Sequence, residues 1–209
     1  DGDPIEDSGN FYITYEGPLQ STVQLGLHPN EETFRGVTYN DFRSDLLVAV
    51  RPSGDLAFQV FLRGGEIIDF VNERQAEFIL VEPKVELKLG RRFSGEMQHS
   101  WQVFDVRGGR FLEANLTQAT LRYHLNVRTF VRAILQYRDV TRDLALYNPG
   151  IEIAPEEEEL FSQLLFSYKL NPQTVLLLGY SDLAEGNERF DLTQRNRAFF
   201  LKLGYAWLW

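Results

Sequence analysis

The chain has 209 residues and a formal net charge of −9, with a pI near 4.9 and a mean hydropathy of −0.27. That length suits one domain, and the acidity excludes nucleic acid as a partner, because phosphate binding needs a basic surface. The absence of cysteine excludes disulfide frameworks, thiolate metal sites and cysteine nucleophiles. No run of eighteen apolar residues is present, so no helix crosses a membrane; the mean hydropathy does not argue against spanning strands, since half of each such strand faces a polar interior.

Aromatic residues make up 13% of the chain and helical periodicity is scarce, so the expected class is all-β. There is one methionine, Met97, and the chain opens with Asp1, which reads as a processed or excised segment. Residues 1–10 are acidic and small, an expected flexible tail, and 11–209 form the expected folded domain. Phe11 to Tyr15 is a candidate short strand before Gly17-Pro18. Apolar alternation of period two then runs through Leu19 to Leu27, Phe42 to Val50 and Leu56 to Leu62. In Ala76 to Leu89 the phase slips near Glu82-Pro83, where a bulge is expected. It resumes in Met97 to Val103, Leu121 to Leu125, Val131 to Tyr137, Leu164 to Leu170, Leu176 to Tyr180 and Phe199 to Trp209. Polar stretches at His28 to Asp41, Gly64 to Gln75, Asp139 to Glu159 and Asp182 to Asn196 read as long loops. The connections near 52, 91, 127 and 172 are short.

Short connections at one end and long ones at the other predict an antiparallel up-and-down transmembrane β-barrel of about ten strands, with a range of ten to twelve. Its short turns would be periplasmic and its long loops extracellular. Only closure satisfies the edge hydrogen-bonding groups in lipid, so the last strand is expected to pair with Leu19 to Leu27. The apolar faces are too bulky to fill a small barrel and are therefore expected to meet lipid, with Tyr137, Tyr168, Tyr180, Tyr205 and Trp207 as interface anchors. The opposite faces, expected to line the lumen, carry Arg43, Asp45, Glu86, Lys88, Arg122, Arg132, Gln136, Gln163, Lys169 and Lys202. Lys202, Gly204, Trp207 and Trp209 fit the polar, any, glycine, any, any, aromatic, any, aromatic pattern of a C-terminal outer-membrane assembly signal. These residues predict the bilayer, lipopolysaccharide and the barrel-assembly machinery as partners, with further protein partners left open.

Asn126 to Tyr137 (NVRTFVRAILQY), Phe161 to Asp182 (FSQLLFSYKLNPQTVLLLGYSD), Asp191 to Gln194 (DLTQ) and Phe199 to Trp207 (FFLKLGYAW) resemble the C-terminal barrel region of bacterial outer-membrane proteins of the domain-of-unknown-function family 5916. Gly17 to Val23 (GPLQSTV) and Arg51-Pro52 are similar as well. The resemblance implies a fold and a location, the bacterial outer membrane, but no reaction. Full-length members resemble a carbohydrate-binding sandwich fused ahead of the barrel, and nothing in this chain matches that module.

Candidate chemistry is sparse. His99 and Ser100 are adjacent and so point to opposite faces, His124 sits near a short turn on the polar side, and only His28 is placed for an Asp-His couple at the rim. Glu156 to Glu159 in the longest loop could bind Ca²⁺ or bridge to lipopolysaccharide through divalent ions, but read as a solvated charge run. No catalytic, cofactor or metal site is expected, and the chain reads as a membrane anchor or narrow channel. The rival readings are a soluble lipocalin-like carrier and a rim-active enzyme.

Overall fold

In the computed structural model, residues 6–171, 173–187 and 190–205 are described. They form one antiparallel sheet of twelve strands: β1 Glu6–Ser8, β2 Phe11–Gly17, β3 Ser21–Phe34, β4 Val37–Ser53, β5 Leu56–Asp69, β6 Arg74–Leu89, β7 Phe93–Val106, β8 Gly109–Asn126, β9 Thr129–Arg142, β10 Glu156–Asn171, β11 Thr174–Asn187 and β12 Phe190–Tyr205. From β3 onward each strand pairs with the next, the up-and-down order expected from the alternation. No α-helix occurs among the described residues, only single 3-10 turns at Pro18–Gln20 and Leu144–Leu146.

The first edge differs from expectation. β2 pairs with the first half of β3, Ser21 to Leu27, and β1 pairs with Asn30 to Glu32 farther along it. Within the stretch expected as a tail over residues 1–10, Glu6–Ser8 are strand. The flank of Leu19 to Leu27 expected to receive the last strand is taken by β2. No strand pairs with the outer edge of β12 among the described residues, and the sheet is open. β2 and β12 are both antiparallel to their sheet neighbours and run in the same direction, toward the end of the sheet that carries the short turns.

Three of the expected long loops are strand. β3 and β4 pair continuously out to Phe34 and Val37, around a two-residue turn whose Arg35 and Gly36 both have positive φ, the turn that suits strand twist. β5 and β6 pair out to Asp69 and Arg74, and β11 and β12 out to Asn187 and Phe190. Among the described residues, only 143–155 make an extended connection at that end. In these outer segments polar residues occupy both faces, so hydropathy does not alternate there. Backbone ladders hold them, aided by Thr33 with Thr38 and by the Arg35 to Glu73 ion pair.

The bulge expected at Glu82-Pro83 is also absent. Val81 opposite Trp101 and Lys84 opposite Gln98 keep one offset across it, and Val60 pairs with Pro83 in unbroken register. The apparent slip has another cause. Phe78 lies on the opposite face from Val85 because both faces of this strand carry apolar residues, at different heights. Phe78, Phe104 and Phe111 succeed one another at ring-centroid spacings of 6.0 Å.

Paired residues share a face and chain neighbours alternate, so the register sorts the side chains. One apolar row runs from Ile13 through Leu25, Leu46, Leu62 and Val81 to Trp101. A second runs from Leu121 through Ala133, Leu164 and Tyr180 to Phe199 on the same face. That face is open: Ile13 is 74% exposed, Leu178 44%, Leu203 65% and Phe199 78%. Along β3 the opposite face is the buried one: exposed Leu25, Leu27 and Pro29 alternate with buried Gly26, His28 and Asn30.

Candidate functional site

By register Arg43, Asp45, Glu86, Lys88, Arg122, Arg132, Gln136, Gln163, Lys169 and Lys202 fall on the face opposite the apolar rows, where Lys88, Arg122, Lys169 and Lys202 are exposed. They do not form one cluster. Glu86 belongs to a chain of ion pairs, Arg51 to Glu86 at 3.5 Å, Lys84 to Glu86 at 3.0 Å and Lys84 to Glu96 at 3.1 Å. Arg132 donates to Gln163 Oε1 at 3.1 Å and Arg122 lies over the Phe130 ring at 5.5 Å, so neither meets a carboxylate. Lys88, Gln136, Lys169 and Lys202 make no side-chain hydrogen bond or ion pair among the described residues. Lys202 stands opposite Leu177 and Gly204 opposite Val175; Trp207 and Trp209 lie outside the described residues.

A buried polar group is centred on Asp45, whose partners were not apparent from the sequence. His28 Nε2 meets Asp45 Oδ1 at 2.5 Å, and Arg63 Nη2 donates to the same oxygen at 3.1 Å. The other ring nitrogen of His28 meets Asn10 Oδ1 at 2.7 Å, and Tyr12 packs edge-on against the imidazole at 5.3 Å. His28 is 8% and Asp45 5% exposed, a burial that a carboxylate tolerates only when paired. The register explains the gathering. Tyr12, Gly26, Asp45 and Arg63 lie in one row across four strands, and His28, Arg43 and Gly65 lie in the adjacent row. Gly26 leaves the space that two side chains occupy, since a Cβ there would lie 2.6 Å from Asp45 Oδ2 and 2.8 Å from His28 Nε2.

His28 does couple to an aspartate, but from the middle of β3 and not from a loop at the rim. Both ring nitrogens are engaged, however, so the imidazole presents no base to a hydroxyl nucleophile in this arrangement. The other histidines are placed as expected. His99 bonds Thr117 at 2.8 Å on the face opposite Ser100, and the His124 ring lies 5.5 Å from Phe130 on the polar side.

The acidic run expected to be a solvated loop begins β10 instead. Glu157 pairs with Arg142 at 3.2 Å, Glu159 with Arg138 at 3.3 Å, and Glu158 accepts from the Tyr137 hydroxyl at 3.1 Å. No group of three or more histidine, aspartate or glutamate side chains able to hold a metal occurs among the described residues. The connection before it, residues 143–155, reaches back over the sheet. Tyr147 packs edge-on against Phe111 at 5.5 Å, and Asn148 bonds Asn72 through its backbone N–H at 2.7 Å and its side-chain amide at 3.0 Å. Burial raises the Tyr147 phenol above its ordinary value, with Asp69 adding to the shift and Arg142 and Arg74 opposing it.

Comparison with known proteins finds no matching family model, curated protein or solved structure. The functional reading therefore rests on the geometry of the two faces.

Proposed function

We propose that this chain forms the membrane-spanning wall of a bacterial outer-membrane β-barrel of the 5916 type, serving as a membrane anchor or a narrow channel without catalysis of its own. The observation that carries this reading is the exposed apolar band. On β12 it extends from Phe199 to Tyr205, seven residues or about 23 Å along the strand, which at a tilt of about 40° is about 18 Å along the membrane normal, the larger part of the band of about 25 Å in outer-membrane barrels. Aromatic residues mark its margins on the same face, with Tyr15, Phe93, Tyr123, Tyr168 and Tyr205 toward the short turns and Trp101, Tyr137 and Tyr180 toward the other end. A contiguous apolar surface of this extent marks a partner or a membrane. A lipocalin-like carrier would turn the same residues inward, whereas Leu178 and Leu203 are open and the ionic groups lie on the opposite face.

Strand length supports the same reading. β4 has 17 residues and β8 has 18, against the roughly 9 to 11 that a tilted strand needs to cross a bilayer. The polar outer segments then stand above the membrane, where lipopolysaccharide is the neighbour. The strand carrying Lys202 and Gly204 supplies the assembly signal. Refolding into phospholipid vesicles, followed by protease protection and planar-bilayer conductance, tests the proposal. Protected β-sheet with unitary current supports a channel, protected sheet without current supports an anchor, and a chain that stays outside the vesicles refutes both.

A further inference from the structure

We infer that the cavity bounded by Asn10, Tyr12, His28, Arg43 and Arg63 is a binding site for a small oxyanion, a phosphate or a carboxylate. The cavity measures about 170 Å³ on the polar face, and Asn10, Tyr12, Arg43 and Arg63 among its lining residues can present an N–H or O–H to a ligand. Two of the five are arginines. The acid that could neutralise them is already committed: Asp45 holds both His28 and Arg63 through one oxygen. Asp41, the next acid along that face of β4, accepts from Gln75 at 3.0 Å.

Arg43 is the residue that asks for a ligand. Its guanidinium makes no hydrogen bond or ion pair among the described residues, and its Nε is buried without a partner, as is the Nε of Arg63. An unpaired buried donor is costly, and each such group calls for an explanation. Its neighbours across the sheet are His28 on one side and Gly65 on the other. Gly65, at φ +140°, can carry no side chain, because a Cβ would lie 2.1 Å from the Phe42 carbonyl oxygen. Nothing on that strand therefore competes for the guanidinium. A planar fork of N–H donors matches the paired oxygens of a carboxylate or phosphate, and the Tyr12 hydroxyl adds a donor from β2, while His28, held by Asn10 and Asp45, forms the wall between them. Asp45 acts as a positioning residue, fixing His28 and Arg63 while leaving Arg43 uncompensated.

The test is calorimetric titration of the refolded chain in detergent micelles with inorganic phosphate and, separately, acetate, at ionic strength held constant with chloride. We expect one saturable site per chain, weakened at least tenfold by Arg43→Gln and unchanged by Arg122→Gln, which removes a distant arginine from the same face. Saturation by phosphate alone, by acetate alone or by both assigns the class, and each supports the site. No heat above the chloride background, or equal weakening by Arg122→Gln, overturns it. Should Arg43→Gln fail to fold, Tyr12→Phe at the same cavity is expected to weaken binding, and unchanged affinity in that variant overturns the proposal. The measurement needs no bilayer, so its failure is distinguishable from failure of the membrane reading.

Discussion

Replacing Leu203 by arginine separates a lipid-facing surface from a solvent-facing one. Leu203 is 65% exposed and pairs with Leu176 within the apolar band, and Leu178, 44% exposed, pairs with Leu201 deeper in it. On a water-exposed sheet such changes fall within about 0.5 kcal/mol, the more so because an arginine stem preserves apolar cover. At the mid-plane of a bilayer an arginine on the lipid face costs about 2 to 4 kcal/mol, and at 1.4 kcal/mol per decade that is about 30- to 700-fold in the folding equilibrium. Ala198→Arg is the control, since Ala198 is exposed on β12 and pairs with Ser181 on the polar face. Urea titration of the vesicle-refolded proteins should show large losses for Leu178→Arg and Leu203→Arg and little change for Ala198→Arg. Equal stability of all three variants refutes the facing argument, and a loss confined to Ala198→Arg reverses it.

Other perturbations probe the polar face. Asp45→Ala strands Arg63 and His28 without their shared acceptor and should cost about 3 to 5 kcal/mol, as removal of one member of a buried pair does; denaturant unfolding measures it. Gly65→Ala should exceed the about 1 to 3 kcal/mol of backbone strain alone, because the new Cβ also meets the Phe42 carbonyl, and unchanged stability would show that this backbone relaxes freely. The raised phenol of Tyr147 means that the folded state favours the neutral form. The docking of residues 143–155 should be fully held below the ordinary tyrosine value of about 10 and weaken as pH rises through and above it. Protease nicking of that connection against pH reads the change, which Tyr147→Phe should abolish.

The parts of this architecture visible in the sequence are those where one face is apolar and the other is not. β11 and β12 are plain from Leu176, Leu178, Leu201 and Leu203 because their alternation is strong. The outer halves of β3, β4, β9 and β10 are invisible to the same reasoning, since Glu31, Glu32, Asn40 and Asp41, or Asp139 and Glu156 to Glu159, are polar whichever way they point. Only pairing makes them strand. β6 misleads in the opposite sense, for Phe78 and Val85 are apolar on opposite faces. The Asp45 cluster needed a turn rather than a motif. With Arg35 and Gly36 as its centre, Gly26 falls opposite Asp45 and His28 opposite Arg43, whereas a loop from His28 to Asp41 conceals both pairs. Arg63 then enters from β5 and Asn10 from the link between β1 and β2, with no local signature at all.

The shared heading of the first and last ribbons has a consequence for any ring built from this chain. Joined directly, Phe11–Gly17 and Phe190–Tyr205 would form a parallel seam, the one departure from an otherwise alternating weave, and slightly weaker per residue than its neighbours. A ring of ten, even as single-chain bacterial barrels are, instead requires the amino-terminal ribbon to vacate the Ser21 to Leu27 flank so that the carboxy-terminal one can dock there head to tail. The occupancy of that one flank thus decides the parity of the assembled wall.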